Sequence, residues 1–165
     1  MPENILNEII EAGAWAPFSA QRWFIIVVKE HETKRAILED FYAQGRNLHV
    51  LKAPVDIVVC CDLRDQYWLE LAKKDHGKKD FKMIFAVQET AAMVQNMLLT
   101  AHELGLGTCW NGSFNETRVA TVLGIPEDVR PVAIVSLGYP KEKPDAPRRK
   151  ALKEIVYKEK FGCSY

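Results

Sequence analysis

The sequence predicts helices packed against both faces of a central β-sheet, and three observations lead there. Residues 23–28, 53–61 and 131–137 are apolar runs rich in β-branched residues, the pattern of strands covered on both faces. Between them lie segments with apolar residues at three- and four-residue spacing, the mark of amphipathic helices. The two kinds of segment alternate, which layers helices over a sheet. A chain of 165 residues, 48% hydrophobic and 10% aromatic, suits one domain over residues 1–165 and argues against disorder or a fibrous repeat.

The elements follow in order. A first helix is expected over residues 3–15, opened by Pro2, with Ile5, Leu6, Ile9, Ile10 and Ala12 inward and Glu3, Asn7, Glu8 and Glu11 outward. Ala16-Pro17 ends it, and the strand 23–28 follows. Residues 32–42 form a second helix with Ala36, Ile37, Leu38 and Phe41 on its inner side. The strand 53–61 admits Pro54 only at its entry. Residues 62–82 are charged and irregular, a solvated loop or short helix in which acids interrupt the bases. Residues 85–104 give a long helix, with Val87, Ala91, Val94, Leu98 and Ala101 as its apolar stripe, widened by Met93, Met97 and Leu99. So broad an apolar surface belongs in the centre of the molecule or in a subunit interface. Gly105 stops that helix, residues 106–110 form a short strand, and residues 111–114 form a loop. Asn115 caps a helix that runs to Leu123 and is closed by Gly124-Ile125-Pro126. After the strand 131–137, residues 141–147 read as an extended surface loop holding Pro144 and Pro147, and residues 153–161 as a last short helix.

Charge and cysteine usage narrow the function classes. With 22 Lys+Arg against 22 Asp+Glu the chain lacks the basic surface by which nucleic-acid binders displace counterions. The same neutrality leaves little long-range repulsion between copies. Cysteines at 60, 61, 109 and 163 form no C-x-x-C pair, so buried free thiols in a reducing cytoplasm are expected rather than a zinc or redox site. No basic n-region precedes a long apolar run, and no stretch reaches the roughly 18 apolar residues of a membrane span. The expectation is a soluble, cytoplasmic protein.

No nucleophile elbow, P-loop, H-E-x-x-H or G-x-G-x-x-G is present, and His31, His49, His76 and His102 stand at no metal-ligand spacing. A covered sheet without its own catalytic constellation fits a protein that leaves chemistry to a cofactor. Three segments could receive one. Ser19-Ala20-Gln21-Arg22 offers polar side chains and free backbone groups, or is merely a helix-to-strand turn. Gly107-Thr108 and Asn111-Gly112-Ser113 put small residues around a strand end, where a flat ligand can approach the backbone, although turn chemistry alone also calls for such glycines. Arg148-Arg149-Lys150 is a compact basic cluster whose guanidinium forks match phosphate oxygens, or a solvated triplet.

Taken together these segments resemble the nitroreductase family of flavin-dependent oxidoreductases. The resemblance is carried by residues 104–114 (Leu-Gly-Leu-Gly-Thr-Cys-Trp-Asn-Gly-Ser-Phe), then Leu123-Gly124-Ile125-Pro126-Glu127, Leu137-Gly138-Tyr139-Pro140 and residues 149–156. Ala16-Pro17 with Gln21 and Trp23-Phe24, and Ala53-Pro54-Val55 opening a strand, fit as well. It implies an α+β fold, a three-layer α/β/α sandwich around a mainly antiparallel sheet, and a homodimer with two FMN pockets at the subunit interface. It further implies ping-pong hydride transfer from NAD(P)H through the flavin to a nitroaromatic, quinone or similar small-molecule acceptor, with no catalytic side chain of the protein's own. By position, Ser19 and Gln21 would contact the isoalloxazine ring. The backbone of Asn111, Gly112 and Ser113 would lie near its N5 edge, with Thr108 close by. Arg148, Arg149 and Lys150 would bind the phosphate, Arg149 with Lys150 foremost.

Two departures qualify the resemblance. The family opens with an extra helix and an Arg-Arg-Ser-type segment on the flavin's phosphate side, whereas Met1-Pro2-Glu3-Asn4-Ile5 resembles the family's second helix. A short member relying on the C-terminal cluster, or a trimmed start, is the expectation. The family's Asn-x-Gln-Pro-Trp stretch is shortened to Gln21-Arg22-Trp23, so Gln21 stands for either the asparagine or the glutamine. The missing segment motivates an alternative, a flavin-binding or carrier dimer without turnover. Dehalogenation or flavin destruction is a third reading, for which the 62–82 segment is short as a lid.

Overall fold

Four strands, β1 (Trp23–Val28), β2 (Val55–Asp62), β3 (Gly107–Asn111) and β4 (Val129–Gly138), form one sheet in the order β1-β2-β4-β3. All three pairings are antiparallel. The structure, a computed structural model, describes residues 1–17, 21–42, 47–64 and 81–165, and the side chains at 40–42 and 81–82 are outside that description. The expectation for residues 62–82 therefore falls largely outside the described residues, as do Ser19 and His76.

Helices cover both faces. On one side lie α1 (Glu3–Ala14) and the 23-residue α4 (Phe81–Glu103), joined to each other by the Asn96 amide donating to the Ala12 carbonyl at 3.2 Å. Leu6 and Ile9 of α1 and Met93, Val94, Met97 and Ala101 of α4 pack there on Val55, Ile57, Val59, Ala133, Val135 and Leu137. On the other side α2 (His31–Tyr42), α3 (Leu48–Lys52) and α5 (Glu116–Leu123) supply Ile37, Leu38, Val50 and Val119 against Val28, Val58, Cys60, Val129 and Ile134. This is the three-layer α/β/α arrangement, with two apolar cores of opposite sheet parity. Ala133 and Ile134 face opposite sides, as neighbours on a strand must. Val129 shares Ile134's side although five residues away, because the register slips between Val59 and Cys60. A bulge there carries one extra residue and flips the alternation. It also gives Pro131, which has no N–H to pair, a place in a central strand.

Four details depart from the sequence pattern. Strand β1 is not covered on both faces: Phe24 and Val27 are 45% and 38% exposed. Among the described strands it is an edge strand paired only with β2, and the Arg64 guanidinium lies 5.3 Å from the Phe24 ring centroid. Cys60 and Cys61 are buried free thiols as expected, but Cys109 on edge strand β3 and Cys163 in the tail are exposed. The buried face of α4 runs through Ala86, Thr90, Met93, Val94, Met97 and Ala101, leaving Ile84, Val87 and Leu99 outside. Finally, residues 153–161 are not a helix. Only α6 (Leu152–Ile155) forms, Val156 turns to extended backbone, and Tyr157 bridges to Ser164. A nine-residue helix with no face to bury is marginal in water, and residues 148–165 are almost wholly exposed.

The sequence pattern also hid a polar cluster inside the second core. Lys34 of α2 is 2% exposed; its Nζ lies 2.8 Å from Asp56 Oδ2 and donates to the Ala53 carbonyl at 2.6 Å. Ser136 donates to Asp56 Oδ1 at 2.5 Å across the β2–β4 register. Lys34 stands at i before Ile37 and Leu38, the inward stripe of α2, and that spacing is the signal for its burial.

Candidate functional site

The turn after β3 is held from both ends by named hydrogen bonds. Strand β3 runs one residue further than its pattern suggests, so Asn111 belongs to the strand and the turn proper begins at Gly112. Asn111 is 6% exposed; its Oδ1 accepts the Ser113 amide at 3.0 Å, and its Nδ2 is buried without a hydrogen-bond partner. A buried unpaired donor costs roughly 1–3 kcal/mol. The carboxamide is thus set to donate to an acceptor that the described residues do not supply. A Cβ at Gly112 would meet nothing within 4 Å, so the backbone there borders open space. The Ser113 carbonyl accepts from Asn47 Nδ2 at 2.8 Å, a bond spanning 66 residues of sequence. Asn115 then caps α5 by accepting the Arg118 amide at 3.0 Å, and Gly124 closes that helix at φ 65°, as the sequence indicated.

The other predicted residues are placed differently. Thr108 is half-buried on β3. Gln21 is exposed just before β1 with φ 47°, the left-handed region that non-glycine residues seldom adopt. Such an outlier is a reason to look for function. Yet β1 and β3 are opposite edges of the sheet. Three interstrand steps of about 4.8 Å put them roughly 14 Å apart. Ser19 lies outside the described residues. Arg148, Arg149 and Lys150 are all exposed and, among the described residues, form no ion pair. Within one chain, therefore, Asn111, Gly112 and Ser113 come together, Gln21 lies by the opposite sheet edge, and among the described residues no hydrogen bond or ion pair ties the basic cluster to the turn.

Titration chemistry at the turn is quiet. Partial desolvation raises the pKa of the Cys109 thiol although the residue is exposed on its edge strand, and burial lowers that of the His49 imidazole, favouring the neutral form. No group of three or more His, Cys, Asp and Glu side chains able to hold a metal occurs among the described residues. What the turn offers is hydrogen-bond donors and an open approach to backbone, the equipment for holding a flat polar ligand rather than for acid–base work. Sequence reasoning found this turn but missed Asn47, whose only local signal is an asparagine tolerant of left-handed backbone.

Residues 1–139 match the model of the nitroreductase family. The match ends just after β4, ahead of the basic cluster. Among curated proteins, a putative NADH dehydrogenase/NAD(P)H nitroreductase of Methanothermobacter thermautotrophicus is 35% identical, the alignment covering 87% of this chain and 70% of that protein. An NADH dehydrogenase of Thermus thermophilus is 30% identical, with 94% and 85% covered. Among solved structures, a nitroreductase family protein from Clostridium novyi NT is 28% identical at a TM-score of 0.71, covering all of this chain and 86% of that one.

Proposed function

The chain belongs to the nitroreductase family, and we propose that it binds FMN and catalyses hydride transfer from NAD(P)H to nitroaromatic, quinone or similar small acceptors. That it is an NAD(P)H-dependent flavin oxidoreductase is supported by relatives named NADPH-flavin oxidoreductase, from Vibrio harveyi, and FMN reductase (NADPH), from Bacillus subtilis. The observation that carries the reading to a place in the fold is the orphaned Asn111 Nδ2 beside the open backbone at Gly112. Flavin rings present carbonyl and imine acceptors, which is the chemistry this donor lacks a partner for.

When bound, the flavin supplies two-electron transfer in two half-reactions, which makes the kinetics ping-pong. The chain's part is to bind and orient. Asn111, Gly112 and Ser113, with Thr108 on the same strand, would hold the ring on the side where hydride is exchanged. Ser19 and Gln21 would hydrogen-bond the ring, and Arg148, Arg149 and Lys150 would take the phosphate as charge-assisted partners. Since Gln21 and Asn111 flank opposite sheet edges, a homodimer lets one copy complete the other's pocket. Ile84, Val87 and Leu99 on α4, with Leu152, Ile155 and Phe161 in the tail, are the exposed apolar side chains that a second copy would cover. No described helix is long and apolar enough to cross a membrane, and a cytoplasmic setting suits the NAD(P)H supply. Adding FMN to purified protein and desalting tests the reading. Retained yellow flavin that is bleached by NADH or NADPH and recoloured by a quinone is expected. Protein that leaves the column colourless refutes it.

A further inference from the structure

We infer that Asn47 is a positioning residue for the flavin-facing turn: it holds the Ser113 carbonyl and, through Ser113, fixes the direction in which Asn111 offers its free amide. The inference rests on the flavin site proposed above. Three observations carry it. Asn47 Nδ2 donates to the Ser113 carbonyl at 2.8 Å, tying the segment before α3 to the turn after β3. The Ser113 N–H donates in turn to Asn111 Oδ1 at 3.0 Å. A carboxamide is planar, so fixing its oxygen fixes its nitrogen, and that nitrogen is the buried donor left without a partner.

Asn47 is suited to this bond by its backbone. It sits at φ 57° and ψ 24°, directly ahead of α3, and its side chain caps nothing in that helix. The left-handed region is cheap for glycine, asparagine and aspartate and costs other residues roughly 1–2 kcal/mol. The side chain is thereby left free for the long-range bond to Ser113. The neighbouring Val50 is fully buried in the second core, so the donor is mounted on a packed element. A ligand lying against Gly112 would thus meet a turn whose shape is set partly from α3, 66 residues earlier in the chain.

Two variants separate the bond from the backbone. Asn47→Gly keeps the left-handed conformation and deletes the donor. Asn47→Asp keeps size and conformation and turns a carboxylate oxygen toward the Ser113 carbonyl. Both are measured by amide hydrogen exchange at residues 112–114 without flavin, by FMN titration, and by the midpoint potential of the bound flavin. The expected result is faster exchange at Ser113, an FMN Kd raised roughly three- to tenfold, as for loss of one neutral hydrogen bond, and a shifted potential, with the unfolding midpoint close to the parent's. Variants that match the parent in Kd and potential overturn the inference while leaving the flavin site standing. A parent that takes up no FMN overturns the flavin reading, and the inference with it.

Discussion

Burying Lys34 beside Asp56 sets a Coulombic gain against the loss of two hydration shells, and at Asp56 the second is larger. Its carboxyl is pushed up to about 6 by burial, although the bonds from Lys34 and Ser136 and the Lys34 charge pull it down. Removing one partner therefore strands a charge. Lys34→Met should lower stability by about 3–5 kcal/mol in urea unfolding at pH 7, whereas replacing all three members with apolar residues (Lys34→Met, Asp56→Val, Ser136→Ala) should return it to the parent's level or above. The folded-state value lies above the ordinary 3.8, so the stability Asp56 contributes is full below about pH 4 and is lost as the pH rises through 6. Relative to the triple variant, the parent should lose on the order of 2–3 kcal/mol between pH 4 and 7, and parallel curves would refute the shift. Arg149 illustrates the opposite case. It is exposed, so Arg149→Ala should leave the unfolding midpoint alone while raising the FMN Kd about tenfold or more, the loss of one charge-assisted contact. Equal affinity would place the phosphate elsewhere.

Elements were legible wherever a segment packs on the sheet. Helices α1 and α5 have the bounds that the apolar spacing and the Asn115 cap indicated to within a residue, because their stripes are the buried faces. Strand β1 and the tail were misjudged for one reason: apolar composition reports what a segment could bury, not whether a neighbour exists to bury it. The α1–α4 contact is close enough to test. A Cβ at Gly13 would lie 2.8 Å from Met97 Cγ and 3.1 Å from Met93 Cγ. Alanine there can be accommodated by the flexible methionines, but Gly13→Val should force the helices apart and cost about 1–3 kcal/mol in denaturant unfolding.

In the whole molecule, the proposed second copy would account both for the exposed apolar residues of α4 and the tail and for the separation of Gln21 from Asn111 across the sheet. Light scattering at micromolar concentration should give twice the 18.8 kDa of the chain; a monomer mass would remove the proposed shared pocket. The sequence by itself determined the layering of helices over a sheet and the glycine turn, because apolar periodicity and backbone-permissive residues are local properties that read directly as burial and turn geometry; the family came from the ordered motif blocks and the match over residues 1–139. Only the tertiary structure decided that β1 lies at an edge, that Lys34 and Asp56 meet inside a core, and that Asn47 holds Ser113. Those facts depend on which strands become neighbours, and pairing energies between residues dozens of positions apart leave no periodic trace along the chain.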